Sequence, residues 1–527
     1  MKEWNVNQYL DDFRQFKKEY PRLGVWLGFF ILLAYGGRII HDNIFLDSEI
    51  MVLRPEFMRE VWLGSSRFGL VLTDRLWGIG RLVPWLSGML MALMMWAGAV
   101  ALAFFSYGWC QKSRRYRIFL YLFPALFVTC PVFAGQYLFI LQAFEIAFGI
   151  LLCILAAGCV GNFVYKGGMG WLAAGLALMV WAFGSYQAML FLYFSLVLFS
   201  FLLVYMNRGG EKALGLGLKH MAVFLAGAAI YGIIAALAKA SVGSESTYIS
   251  SQVHWRTDGW RICFSYIWLE LVRVLGAKTV FYHPIYLPAM GLFVLQAMIY
   301  GWKKKTGIGN YFWFLLGGGL FLASPFFLTV LTGFLQQVRA QMVYPVTLAC
   351  FVAHLTVLPE TIKSSGKTIL TGVFTVLAVF VISGNTMLTA QLFQTAWEAY
   401  RNDVLTANRM YADICHAANR PDMENCHVIF TGKRDAGLAG PVTEGELTGL
   451  SFFEAEAHTP KGVSGRVASL FWTLGMDLKL EINEELYQQA VEFMQDAPDW
   501  PAQGSIREMD GIIVVRLSGV ENGDGNN

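Results

Sequence analysis

Charged residues are scarce in this chain of 527 residues. Asp, Glu, Lys and Arg make up 15% of it, against 56% hydrophobic residues, whereas about 25% charged residues is usual for a soluble protein. The deficit is concentrated in apolar runs of roughly 17–25 residues, long enough to cross the ~30 Å hydrocarbon core of a bilayer as helices. The runs lack the period-two alternation of barrel strands, so the composition predicts a polytopic α-helical membrane protein.

Several motifs of common soluble enzymes are also missing. Of the eight cysteines, six lie in or beside apolar runs, which argues against a disulfide framework; a disulfide between Cys415 and Cys426 is left open. The run "GGGL" (317–320) lacks the strand and lysine of a phosphate-binding loop. No cytoplasmic stretch is long enough for an ATP-binding domain, which argues against an ATP-driven pump and a nucleotide-sugar donor used inside.

The N-terminal segment lacks the apolar stretch of a cleavable signal peptide. In "MKEWNVNQYLDDFRQFKKEY" the apolar residues recur at spacings of three and four. That spacing favours an amphipathic helix over residues 1–21, lying at the cytoplasmic membrane surface with Lys17 and Lys18 towards lipid headgroups. A short solvated tail is the alternative.

Eleven membrane spans are predicted, and the basic residues between them define a topology. The basic stretches "KSRRYR" (112–117), Lys166, "NRGGEK" (207–212), "KKK" (303–305) and "KSSGK" (363–367) follow every second span. Positive loops face the cytoplasm, so we expect a multi-pass protein of the bacterial cytoplasmic membrane with its N-terminus inside and its C-terminus outside. The predicted spans are approximately 22–40, 82–107, 117–134, 137–164, 169–186, 187–206, 218–240, 284–302, 309–333, 343–358 and 368–388.

The composition changes near residue 390. From residue 386 onwards the chain has 21 acidic and 10 basic residues. We therefore divide it into a transmembrane domain (22–390) and an acidic extracytoplasmic α/β domain (391–520), with a disordered tail (521–527). Strands are expected at "HVIFTG" (427–432) and "GIIVVRLS" (511–518), a helix at 483–495, and a long entry helix from "AWEAYRND" onwards.

Two long loops, 41–81 and 241–283, fall on the outer face in this topology. The segment 55–81 has the periodicity of amphipathic helices lying along the membrane, with Phe57, Val61, Phe68, Val71 and Leu72 on lipid and Arg59, Arg67 and Arg75 towards water. Five arginines on a face where positive charge is usually rare suggest an anionic ligand. The alternative is that they only reach outer-leaflet phosphates.

The first of these loops resembles a known family. In "LDSEIMVLRPEFMREVWLGSSRFGLVL" (46–72), residues Asp47, Glu49, Trp62, Leu63, Arg67, Gly69 and Leu70 match the first-loop pattern of the Gtr-type bacterial glucosyltransferases, a group of GT-C membrane enzymes. Ser66 departs from the pattern, since glycine is usual there. "GSYQAML" (184–190) and "RAQMVYP" (339–345) resemble further family segments.

The resemblance implies a GT-C-like fold and an enzyme that transfers a hexose, in the first place glucose, from a polyprenyl-phosphate donor to a cell-envelope glycan on the outer face. Its expected partners are this donor, the glycan acceptor and membrane lipids, with a small membrane flippase as a possible supplier of donor. Nucleic acid is not expected as a partner. No cofactor is required by this chemistry, although a divalent cation is possible.

Such a transfer needs a base for the acceptor hydroxyl and cations for the leaving phosphate. Asp47 is the first candidate base, followed by Glu49 and then Asp42. The two leading acids share a face only if the segment is extended, because they diverge on a helix. Arg67 and Arg339 are candidate phosphate ligands, and the remaining candidate substrate-binding residues are Trp62, Tyr186 and Gln187. No residue is predicted to bind metal. For each acid and arginine the plain alternative is a solvated or structurally paired side chain.

Two other functions compete with this one. A lipid-linked polysaccharide polymerase would also have many spans, but it is not expected to carry the Asp-x-Glu signature. A lipid-linked glycan flippase or another transporter should bury charged residues within its spans. The predicted spans are nearly free of charge, with Glu145 as the main exception.

Overall fold

The structure, a computed structural model, describes residues 6–77, 80–208, 213–243, 252–303, 307–361, 366–418, 426–456, 460–480 and 483–519. Most of this chain is helical. Its first ten helices are Val6–Glu19 (α1), Leu23–Ile40 (α2), Ser48–Leu53 (α3), Pro55–Gly64 (α4), Phe68–Trp77 (α5), Pro84–Trp109 (α6), Arg117–Val128 (α7), Val132–Tyr137 (α8), Ala143–Lys166 (α9) and Met169–Ser185 (α10). The later ones are Met189–Arg208 (α11), Ala213–Ser241 (α12), Trp260–Leu275 (α13), Tyr286–Lys303 (α14), Ile308–Ala323 (α15), Phe327–Thr332 (α16), Tyr344–His354 (α17), Lys367–Ala418 (α18), Pro460–Thr473 (α19) and Glu484–Phe493 (α20).

Within the described residues, eight helical segments are long and apolar enough to cross a membrane. Apolar helices also occupy the predicted spans 169–186 and 343–358, but they are shorter, and the span 284–302 corresponds to α14. The many long apolar helices are thus confirmed, while the number of eleven spans stays a prediction. The predicted span 117–134 is interrupted at the turn between α7 and α8, and the predicted span 309–333 is interrupted at the 3-10 helix Ser324–Phe326.

The N-terminal amphipathic helix is present as α1, and its aromatic face packs on protein. The rings of Tyr9 and Phe13 each lie 5.2 Å from the ring of Phe104 on α6, and Phe16 lies 5.4 Å from Tyr107. The spacing of three and four therefore marks a helix face that packs against α6.

The first long loop contains the helices α3, α4 and α5. Phe57, Val61 and Leu72 are exposed, as the amphipathic pattern predicts, but Val71 is buried. Arg59 is also buried, and its Nε lies 2.6 Å from the carboxylate of Asp74. The expectation that Arg59 faces water was wrong, because an acid on α5 partners it inside the fold.

The 52-residue helix α18 joins the apolar helices to the C-terminal region. At 1.5 Å per residue it is about 78 Å long, far more than a bilayer needs. The expected domain boundary near residue 390 falls inside this helix. Further along the helix, Asp403 accepts hydrogen bonds from the Ser451 hydroxyl at 2.6 Å and the Phe452 N–H at 2.8 Å, which attaches the C-terminal region to it.

The C-terminal region contains the strands His427–Thr431 (β1), Lys479–Leu480 (β2), Ile506–Met509 (β3) and Ile512–Arg516 (β4). They form a four-stranded sheet in the order β2-β1-β4-β3. Strand β1 is parallel to both neighbours, whereas β3 and β4 are antiparallel. The expected strands at 427–432 and 511–518 and the expected helix at 483–495 are found as β1, β4 and α20.

Candidate active site

The two leading acids of the first loop meet on one arginine from the C-terminal region. Arg466 contacts a Glu49 carboxylate oxygen through Nη1 and Oδ1 of Asp47 through Nη2, the latter at 2.9 Å. The same Nη2 donates to Glu456 at 2.6 Å. Three carboxylates therefore surround one guanidinium, whose residue lies 419 positions further along the chain than Asp47.

The local backbone explains how both acids reach Arg466. Asp47 immediately precedes α3 and has a φ of 68°, a left-handed conformation that costs a non-glycine residue about 1–2 kcal/mol. Glu49 lies in the first turn of α3. The two side chains would share a face if the segment were an extended strand, but it is not extended. The sharp bend at Asp47 instead allows the two side chains to converge.

Helix α19 positions Arg466 because it is itself anchored in the C-terminal core. Val463, Val467 and Leu470 are buried, and the hydroxyl of Ser464 both donates to the Phe430 carbonyl at 2.9 Å and accepts from the Phe430 N–H at 3.1 Å. This anchors the helix on β1 and leaves Arg466 facing α3.

Burial and charge act in opposite directions on this cluster. Burial raises the pKa of the Glu49 carboxyl above its ordinary value, and the positive charge of Arg466 partly opposes that rise. For Arg466, burial acts to lower the pKa, but Glu456, Glu49 and Asp47 together raise it above the ordinary arginine value. Arg466 is therefore a permanent cation in this site.

A cavity of about 770 Å³ opens beside the cluster. Asp47, whose side chain is 39% exposed, is part of its wall, whereas the side chain of Glu49 is fully buried behind Arg466. The wall combines charged, amide and apolar side chains, and its lining residues are Asp47, Met58, Val61, Trp62, Ser65, Arg67, Phe139, Leu141, Gln142, Tyr186, Gln252, Phe334, Leu335, Gln336, Gln337, Arg339, Ala340, Glu456 and Arg466.

Arg67 is held at the cavity by the turn between α4 and α5. Ser66 in this turn has a φ of 60°, and the Gln187 side chain donates to the Ser65 carbonyl at 2.8 Å. The guanidinium of Arg67 lies 5.2 Å from the centre of the Tyr186 ring, a favourable cation–π distance. Residue 66 thus occupies a conformation that suits glycine, the residue usual in the resembling family.

Arg339 approaches the cavity from the segment between α16 and α17. Its guanidinium lies 4.3 Å from the centre of the Phe139 ring, and the preceding N–H, of Val338, donates to Glu446 at 2.7 Å.

A buried ion pair behind this segment braces it. Arg273 lies 2.6 Å from Glu270 and also donates to the Gln336 carbonyl, and Gln341 donates to Glu270. Burial raises the pKa of Glu270, against the opposing effects of Arg273 and Gln341.

The structure brings five of the candidate residues to one cavity: Asp47, Trp62, Arg67, Tyr186 and Arg339. Glu49 stands behind them on Arg466. Gln187 is not among the lining residues and braces the turn before Arg67. Asp42 is exposed and lies outside the lining. Sequence reasoning missed Arg466 and Glu456, which lie in a stretch with no distinguishing motif.

This arrangement can support acid–base and anion chemistry. A half-exposed carboxylate can accept a proton, and two arginines on the same wall can bind an anionic oxygen cluster. Among the described residues, no group of three or more His, Cys, Asp or Glu side chains is placed to hold a metal ion.

A comparison with protein families gives one match. The family model described as "Glucosyl transferase GtrII" matches residues 38–357, more than half of the chain. No curated protein and no solved structure matches the chain. The matched range contains every candidate residue of the first loop together with Tyr186, Gln187 and Arg339, but it ends well before Arg466.

Proposed function

This chain belongs to the glucosyl transferase GtrII family, and we propose that it transfers a hexose, in the first place glucose, from a polyprenyl-phosphate donor to an envelope glycan. The main support is the cavity that Asp47 shares with Arg67 and Arg339. A base and two phosphate-binding cations are the groups that such a transfer requires. The GT-C type of fold is part of this proposal.

Asp47 is the proposed base. As the acceptor oxygen attacks the anomeric carbon of the donor sugar, its proton passes to the Asp47 carboxylate, and the bond between that carbon and the phosphate oxygen breaks. The products are the glycosylated acceptor and the polyprenyl phosphate. Glu49 is less suited to this role because its side chain is fully buried, whereas that of Asp47 is 39% exposed.

Arg67 and Arg339 are the proposed ligands of the leaving phosphate. Charge grows on its oxygens as the bond to the sugar breaks, and cations fixed in advance stabilise that charge. Both guanidiniums lie over aromatic rings, of Tyr186 and Phe139, which limits their movement. No metal is needed in this scheme.

The donor's polyprenyl chain requires apolar surface beside the cavity. Val61 both lines the cavity and is 40% exposed, and Phe57 on the same helix is 48% exposed. We place this surface at the outer leaflet of the bacterial cytoplasmic membrane, with the N-terminus inside and the C-terminal region outside, because the short basic loops then face the cytoplasm. The envelope glycan would approach from the aqueous side. A small flippase could supply the donor.

The test is a transfer assay with purified protein in lipid, radiolabelled polyprenyl-phosphate glucose and acceptor glycan. Wild type should transfer label, and Asp47→Asn should lose about 10²–10⁴-fold in turnover while remaining folded. Glu60→Gln is the matched control, because Glu60 is an exposed carboxylate on α4 outside the cavity lining. Full turnover by Asp47→Asn would refute Asp47 as the base, and no transfer by wild type would refute this donor.

A further inference from the structure

Arg466 contacts the two first-loop acids, but it lies outside residues 38–357, the range that the family model matches. We infer that Arg466 is a positioning residue for this transfer and that the C-terminal region therefore completes the active site. The inference rests on the proposed function, and it adds a residue and a region that neither the family match nor the first-loop motif includes.

The geometry of the Arg466 guanidinium allows it to hold both acids at once. Its two terminal nitrogens contact two different acids, Glu49 through Nη1 and Asp47 through Nη2. A planar fork with several fixed donors can hold two carboxylates in one relative orientation, whereas a lysine ammonium is a single point of charge. Arg466 thereby fixes which way the Asp47 carboxylate faces at the cavity wall.

The positive charge of Arg466 also counteracts the electrostatic repulsion between the two acids. Asp47 and Glu49 are close enough to share one guanidinium, and two carboxylates in such proximity repel each other. The cation offsets this repulsion, so the Asp47 carboxylate can keep its orientation without moving away from Glu49. Without the arginine, the two side chains should separate and the base should lose its orientation.

Helix α19 holds Arg466 in a fixed position. Only 14% of the Arg466 side chain is exposed, and the helix is anchored by the two Ser464 hydrogen bonds to β1. Its position therefore depends on the sheet, so the fold of the C-terminal region determines the geometry at Asp47. The region lies outside the residues that the family model matches, yet it contributes a side chain to the cavity wall.

Removal of the arginine tests the inference. Arg466→Ala in the full-length protein should lower kcat by roughly 100-fold, the cost of misplacing a reacting group by about 1 Å, with little change in the donor KM. Added guanidinium ion should restore part of the kcat, because it can occupy the vacated position between the acids. A purely structural role predicts no such rescue.

Two further variants make the outcome decisive if Arg466→Ala folds poorly. Arg466→Lys keeps a cation beside the acids and should fold, yet it should still lose most of the kcat because it lacks the fork. Arg507→Ala is the matched control, since Arg507 also forms an ion pair, with Asp496 at 2.9 Å, but outside the cavity lining. Wild-type kcat in Arg466→Lys, or equal or higher kcat in Arg466→Ala, would overturn the inference.

A stability measurement separates this inference from the proposed function. If wild type transfers no glucose, the assay cannot judge Arg466, but the melting temperatures of Asp47→Asn, Arg466→Ala and the double variant can. An arginine that holds Asp47 predicts a double variant whose melting temperature falls by less than the sum of the two single shifts. Additive shifts would show that Arg466 does not hold Asp47, whatever the substrate is, and would overturn the inference.

Discussion

Glycine 69 is the position where a single methyl group should disturb the candidate site most clearly. A Cβ at this position would lie 2.5 Å from both the Ser185 N and the Trp181 carbonyl oxygen of α10. Since attractive contacts between heavy atoms are optimal near about 3.5–4.0 Å, Gly69→Ala must move α5 away from α10 by roughly 1 Å.

This movement of α5 affects the cavity because site residues lie close to Gly69 on one side and at the end of α10 on the other. Arg67 is two residues before Gly69, and Tyr186, whose ring lies 5.2 Å from the Arg67 guanidinium, directly follows α10. Overpacking of this kind typically costs about 1–3 kcal/mol of stability. A shift of about 1 Å in a substrate-positioning residue can cost roughly 100-fold in rate, so we expect Gly69→Ala to lower both.

The assay is glucose transfer together with thermal unfolding of the purified protein. Gly36→Ala on α2 is the matched control, because a Cβ there meets nothing within 4 Å and both changes give the helix the higher propensity of alanine. We expect Gly36→Ala to be neutral or slightly stabilising. The reasoning fails if Gly69→Ala has the same melting temperature and activity as Gly36→Ala, because α5 could then approach α10 with no need for glycine.

Three further predictions concern single side chains. Ser66→Gly should change stability by no more than about 1 kcal/mol, because relief of the left-handed backbone offsets the greater entropy of an unfolded glycine. Ser66→Val should instead lower the melting temperature clearly, and equal melting temperatures of the two variants would contradict the φ of 60° at Ser66. Arg339→Lys should raise the donor KM by about tenfold, since the fork that binds phosphate oxygens is lost, and steady-state kinetics against donor concentration would show this. Burial raises the pKa of Glu270, so its contribution to stability is full below its unfolded pKa of about 4.3 and is lost as pH rises through the folded pKa. Glu270→Gln should therefore flatten that part of the melting-temperature profile against pH, and an unchanged profile would contradict the assigned shift.

The apolar helices and the strands at 427–432 and 511–518 could be predicted because their signals are local. A run of apolar residues determines a helix in lipid whatever surrounds it, and β-branched runs such as "GIIVVRLS" favour a strand. The burial of Arg59 could not be predicted in the same way. Its side chain resembles those of the other loop arginines in sequence, and only the packing of α5 brings Asp74 within 2.6 Å of it.

The candidate site was predictable to the extent that its residues share short motifs. Asp47, Trp62 and Arg67 lie within one loop, and Tyr186 and Arg339 lie in segments that also resemble the family. Arg466 has no such signal, because it is an arginine in an acidic region, 419 residues from the acid that it contacts. One sequence offers no way to pair residues so far apart without the fold.

The bend at Asp47 connects these observations. Periodicity alone requires either an extended segment with both acids on one face or a helix in which they diverge. In the structure the left-handed residue Asp47 precedes the helix, and a single guanidinium holds both this acid and Glu49 in the first helical turn. The two carboxylates thereby occupy different environments, one at the cavity wall and one fully buried. That difference allows one acid to act as a base while its neighbour fixes the arginine that orients it.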